Sequence, residues 1–180
     1  MKDGEAFKLA TSAALRFISY RARSEAEVRT RLLRRFPIPI VDLVLADLTR
    51  KGLIDDSEFA TLWKQSRDAH RPRSAFLIRR ELLAKGVARD VATQAVADLN
   101  ESDAAYRAGQ KFARRLHNLD FDKFRTRLWG HLRRRGFNGS ISRDTVSLLW
   151  SESRPQHGDP AESDMTNPPA AEIWEGRGHD

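Results

Sequence analysis

A chain of 180 residues that is 40% hydrophobic and 32% charged, with net charge +7, holds enough apolar content for a core and suits a thin, surface-rich shape. Cysteine is absent, which excludes disulfides, thiolate metal sites and a cysteine nucleophile and fits a reducing cytosol. No run approaches the roughly 20 apolar residues of a membrane span, and the N-terminal MKDGEAFKLATSAALRF is broken by charge, so neither a span nor a secretory signal is expected and the chain reads as cytoplasmic.

In chain order, Ala10, Ala13, Ala14, Phe17 and Ile18 recur at helical spacing and predict a helix from about Glu5 to Tyr20. Ser24 followed by Glu27 is a capping box that opens a second helix, which RRFPIP ends. Pro39 suits the first turn of a third helix, Ile40–Arg50, closed by Gly52. Asp55 is the expected cap of the fourth helix, with Ile54 stapled onto Phe59 and with Phe59, Leu62 and Trp63 on one side. Ser74 caps the fifth, which stops at Gly86, and Asp90 is the expected cap of the sixth. Near Ser102 and Asp103 the seventh begins, with Ala105, Ala108, Phe112 and Leu116 facing inward. Asp120 or Asp122 caps the eighth, Gly136 ends it, and a short ninth helix is expected around Ser142–Trp150.

These elements repeat. Shifted by 50, Arg71, Arg73 and Ser74 fall on Arg21, Arg23 and Ser24, and Gly86 and Val96 fall on Gly136 and Val146. Similarity at one fixed spacing marks a repeat protein. The expected fold is all-α: an elongated solenoid of three tandem three-helix repeats, 1–53, 54–100 and 101–150. A disordered, acidic, Pro-rich tail is expected over 151–180, where four of the seven prolines lie. That tail has seven acids against Arg154 and Arg177, a net charge of −5, so the first 150 residues carry +12. Within it Ile173 and Trp174 stand out as a candidate docking motif.

A basic body implies a polyanionic partner, with nucleic acid foremost. In each unit the middle helix is the basic one, and guanidinium forks suit phosphates. The bland alternative is a set of solvated faces with local Glu and Asp partners. Nothing points to catalysis. His70, His117, His131, His157 and His179 form no i, i+4 pair, and no Gly-rich phosphate loop is present. Asp55 and Asp56 are accounted for by capping. No catalytic, cofactor or metal residue is assigned.

The segments ALRFISYRARSEAEVRTRLLRRF, GLIDDSEFATLWKQSR, IRRELLAKGV and LWGHLRRRGF together resemble the RecX family of bacterial regulatory proteins, from about Ala13 to Leu149. The resemblance implies a crescent of three helical repeats. It implies binding along the RecA recombinase filament on single-stranded DNA. ATP hydrolysis, strand exchange and co-protease activity in recombination and repair are thereby restrained. Weaker binding to duplex DNA and a monomeric state are further expectations. Asp55, Asp56, Phe59 and Ala60 match the family's DD..FA element, and Leu82, Lys85 and Gly86 its L..KG element, repeated as Leu132, Arg135, Gly136 and Phe137. Unit one departs, with LLRRFP in place of a Lys-Gly ending. The expected filament and DNA contacts are Arg79, Arg80, Lys85, Arg125, Arg127, Arg133, Arg134 and Arg135. The rival expectation is a stand-alone basic nucleic-acid binder; a scaffold for acidic protein segments fits the spread of arginines less well.

Overall fold

The computed structural model describes residues 2–153, and their regular structure is helical throughout. Unit one contains α1 (Lys2–Ser19), α2 (Glu25–Leu32) and α3 (Ile38–Arg50). Unit two contains α4 (Asp56–His70), α5 (Ala75–Ala84) and α6 (Arg89–Ala95). Unit three contains α7 (Glu101–Ala113), a 3-10 turn (Arg114–Leu116), α8 (Phe121–Arg134) and α9 (Gly139–Glu152). The expected disordered tail and its Ile173–Trp174 motif fall outside the described residues, save that α9 runs on to Glu152.

Local chemistry sets the helix starts. Ser24 forms the full capping box with Glu27, and Asp55 accepts the amides of Ser57 and Glu58. Ser74 and Asp120 each accept one amide of the following turn. Three expectations are corrected. Asp90 lies inside the first turn of α6, whose cap residue Ala88 makes no side-chain hydrogen bond, so Asp90 serves the helix dipole instead. Asn138 caps α9, which therefore starts three residues before Ser142, while Asn100 caps α7 close to its expected start. Leu62 is exposed, leaving Phe59 and Ala60 as the buried residues of α4.

Each unit has its own apolar core. Val28, Leu32, Val41, Val44 and Leu48 lie at the centre of the first, Phe59, Ile78, Leu82 and Val87 in the second, and Phe124, Leu128, Leu132 and Phe137 in the third. Full burial of side chains of this size stabilises a fold by about 1.5–3 kcal/mol each. Ile54 joins the first core rather than stapling onto Phe59. The principal helix packing is within units. The units thus meet at narrow joints, where the N-terminus of one middle helix abuts the C-terminus of the next.

The two joints share a plan. Ser24 Oγ donates to the Lys85 carbonyl at 2.6 Å, and the Glu25 amide donates to Asp56 Oδ1 at 2.8 Å. Fifty residues on, the Ser74 amide donates to the Arg135 carbonyl at 3.0 Å, and the Ala75 amide donates to Glu101 Oε1 at 2.7 Å. Asp56 and Glu101 are the first residues of α4 and α7, so each of these acids caps the middle helix of the unit before its own. Gly86 (φ +80°) and Gly136 (φ +85°) end α5 and α8 where the middle helix of the preceding unit docks. A methyl group on Gly86 would lie 2.2 Å from Ala26 Cβ, and one on Gly136 would lie 2.4 Å from Ser74 Oγ. Glycine is therefore required twice at each position, by its backbone and by its bareness. The departure in unit one follows: no helix docks on the end of α2, so RRFP needs no glycine.

Candidate functional site

Charge is distributed unequally along this framework. In unit one Arg21 and Arg23 pair with Glu27, and Arg29 pairs with Glu25 and Asp42. The bland reading of the arginines holds for these three. In unit two Glu81 gathers Trp63 Nε1 at 2.8 Å, Arg67 Nε at 2.7 Å and the Arg73 guanidinium. Burial alone would raise the Glu81 carboxyl; hydrogen bonds from Arg67 and Trp63 and the charges of Arg67 and Arg73 outweigh it and hold it below the usual carboxylate range. Glu27 behaves alike, its burial outweighed by Arg21 and Lys85.

Unit three is different. Lys111, Arg114, Arg115, Arg127, Arg133, Arg134 and Arg135 have no acidic partner among the described residues, whereas Lys123 and Arg125 are partnered by Asp120 and Asp122. Arg71, at the end of α4, is also without one. Lys8, Arg16, Arg31, Arg34 and Arg35 of unit one and Arg79, Arg80 and Arg89 of unit two also lack an acidic partner among the described residues, but unit three holds the largest set of unpaired cations, and several of these meet Arg71 at its joint with unit two.

The eight residues expected from sequence divide into groups. Lys85 is a joint residue: its Nζ lies 3.2 Å from Glu27 Oε1 and 4.3 Å from the centre of the Trp63 ring. Arg135 is half-buried at the other joint, where its carbonyl receives Ser74. Burial, then the charges of Arg73, Arg134 and Arg71, push its guanidinium below the ordinary value. Arg79 and Arg80 follow Ile78 on α5, and Arg80, about 200° around the helix from that buried side chain, points away from the core.

On α8 the buried stripe is Phe124, Leu128 and Leu132. Arg125 lies on the α9 flank, where with Phe121, Trp129 and Arg143 it lines a largely apolar cavity of about 490 Å³. Arg133 follows on that flank, two turns further, and donates to the Phe137 carbonyl at 2.7 Å. Arg127 and Arg134, seven residues apart, take the opposite flank beside His131. The contacts expected on α8 thus fall in two rows, one on each side of the buried stripe.

Sequence reasoning passed over a second cavity, of about 230 Å³, at the joint of units two and three. It is lined by His70, Arg71, Arg107, Lys111, Arg115, His131 and Arg135 among others. His131 stacks on Phe112, ring centres 4.1 Å apart, and its Nε2 lies 3.0 Å from the Ala108 carbonyl. Burial lowers its pKa and the charges of Arg135 and Arg134 add to this, against the Ala108 bond. The signal in the sequence was the alignment of Arg71 with Arg21 beside the joint serine. No group of three or more His, Asp or Glu side chains suited to a metal occurs among the described residues, and no described helix is long and apolar enough to cross a membrane.

Fold and surface together define a class: an all-α protein of three end-joined three-helix units, with its largest set of unpaired cations on the third. Family models for the first, second and third three-helix domains of RecX match residues 10–48, 55–96 and 100–146. The regulatory protein RecX of Mycolicibacterium smegmatis is 36% identical over 153 residues, covering 81% of each chain, and that of Mycobacterium avium is 37% identical over 142 residues, covering 76% of this chain and 82% of the relative. The crystal structure of RecX from Lactobacillus salivarius superposes with a TM-score of 0.73 at 18% identity, over 82% of this chain and 99% of that one. The chain belongs to the RecX family of regulatory proteins.

Proposed function

We propose that this chain is a cytoplasmic regulator that binds the RecA–single-stranded DNA filament and modulates, mainly by inhibition, its ATPase, strand-exchange and co-protease activities in recombination and repair. The observation that carries this reading is the collection of unpaired cations on α8 and the joint before it, in a chain of regulatory family. In this reading the three end-joined units touch successive filament subunits while these cations meet DNA phosphates. Regulation then requires only a difference in affinity between two filament states.

The test is the DNA-dependent ATPase of the cognate RecA, titrated with the chain well below one copy per recombinase, beside a naked-DNA binding curve at the same salt. Inhibition is expected at concentrations where naked DNA is hardly bound. Inhibition that only tracks DNA coverage would make the chain a stand-alone nucleic-acid binder. Reversing charge in the pair Arg133→Glu and Arg134→Glu should weaken inhibition about tenfold or more with helix content unchanged. Arg134→Glu alone guards against the loss of the Arg133–Phe137 bond. Undiminished inhibition by both variants would move the contact surface elsewhere.

A further inference from the structure

The cavity between units two and three has an unusual lining. Arg71 enters from the end of α4, Lys111 and Arg115 from α7 and the 3-10 turn, and His131 and Arg135 from α8. No carboxylate is among its lining residues. Arg107 also borders it, but Arg107 is committed to the Asp68 carbonyl and carboxylate, both at 2.6 Å, and to Asp103 at 2.8 Å. The four remaining fixed cations have no acidic partner among the described residues. At the matching place in the first joint the cation, Lys85, has its carboxylate, Glu27. The position of Glu27 becomes Leu77 in the second repeat, so the second joint brings these four charges together with no carboxylate at the matching place.

We propose that this cavity binds one phosphate group, which provides the counter-charge that the joint lacks and so ties unit two to unit three. Guanidinium forks pair two phosphate oxygens at once, and three arginines converge here with one ammonium. The volume, about 230 Å³, is below the roughly 300–1,000 Å³ of sites that enclose a drug-sized ligand. It suits a single phosphate rather than a whole nucleotide. His131 stands on the same wall, its ring held by Phe112 and by the bond from Nε2–H to the Ala108 carbonyl, and its Nδ1 becomes a donor when the ring is an imidazolium. Because Arg71 belongs to one unit and Lys111, Arg115 and Arg135 to the other, an anion among them bridges the joint. The phosphate is either a phosphodiester of nucleic acid, which rests on the function proposed above, or a free phosphate, which does not.

Inorganic phosphate titrated into the full chain at constant ionic strength, against chloride, tests the site by NMR and thermal melting. One saturable isotherm is expected, with the resonances of His131 and Phe112 moving and the melting temperature rising. The pair Lys111→Ala and Arg115→Ala, both exposed, should weaken binding about tenfold. Lys8→Ala with Arg16→Ala, both exposed on α1, removes the same charge elsewhere and should change it by less than about twofold. Arg115→Gln alone stands in should the double variant lose helix content. Shifts that never saturate, or equal losses from both pairs, would overturn the site. An oligo-dT strand that displaces inorganic phosphate identifies the phosphodiester as the ligand; one that binds without displacing it identifies free phosphate. Filament ATPase run on the same variants separates the two proposals. Phosphate binding without any inhibition sinks the filament reading and leaves the site intact, while inhibition without saturable phosphate binding does the reverse.

Discussion

The joint of units one and two and the joint of units two and three use the same backbone plan with opposite electrostatics. In both, a buried serine at the start of a middle helix meets the last carbonyl of the next, an acid from the following unit caps the first helical amide, and a glycine admits the approach. In the first joint Lys85 is neutralised by Glu27 and rests on Trp63. In the second, Arg135 faces Arg71, Arg73 and Arg134. Side-chain charge is therefore free to diverge where backbone contacts already hold the units. The first joint is closed in charge and structural; the second is open and suited to bind.

Glycine substitutions test the shared half of this comparison and should have the largest effects. Gly86→Ala and Gly136→Ala force both a left-handed backbone and a collision with the docked helix, at an expected cost of about 2–4 kcal/mol. Gly52 has positive φ too, +67°, but open space around it, so Gly52→Ala should cost only about 1–2 kcal/mol. Urea denaturation measures the difference. Equal costs at all three positions would mean that the joints carry no close packing of consequence.

Exchanging residues 27 and 77 tests the unshared half. Glu27→Leu removes the partner of Lys85 and half of the capping box, and should destabilise by about 1–2 kcal/mol. Leu77→Glu places a carboxylate at the matching point beside Arg135. It should change stability by less than about 1 kcal/mol and weaken binding of inorganic phosphate at that joint. If Leu77→Glu leaves phosphate binding untouched, the contrast between the joints does not reside in this pair.

The repeat was legible because its 50-residue spacing aligns the joint residues themselves, Ser24 with Ser74 and Gly86 with Gly136. The caps were equally plain where a Ser or Asp stands before an apolar run. The acids that cross the joints were not. Asp56 and Glu101 are 45 residues apart, because α8 is one turn longer than α5 and the two halves of the repeat fall out of register. Basic helices could be read from composition, but not which cations are free. That depends on partners distant in sequence, such as Asp42 for Arg29, Glu27 for Lys85 and Asp68 for Arg107. The long-range pairs, invisible to periodicity, decide where the positive surface remains.

The smallest predicted effect sharpens the comparison through protons, since only the open joint holds a histidine on α8. Around His131 stand Arg134 and Arg135 on and just after its own helix, Arg107, Lys111 and Arg115 from α7 and the 3-10 turn, and His70 and Arg71 from the end of α4. Its folded pKa is lowered by burial and by Arg135 and Arg134. As pH falls through the ordinary histidine value of about 6.5, the unfolded chain takes up the proton first. The stability that this group contributes is complete above that value and declines below it, until the folded form is protonated as well. His131→Gln should flatten this slope while leaving the carboxylate-driven loss at lower pH unchanged. A bound phosphate favours the imidazolium, so in phosphate buffer the wild-type slope should shrink toward that of the variant. Melting curves from pH 7.5 to 5 in chloride and in phosphate would show it, and identical slopes in the two anions would mean that no phosphate reaches His131.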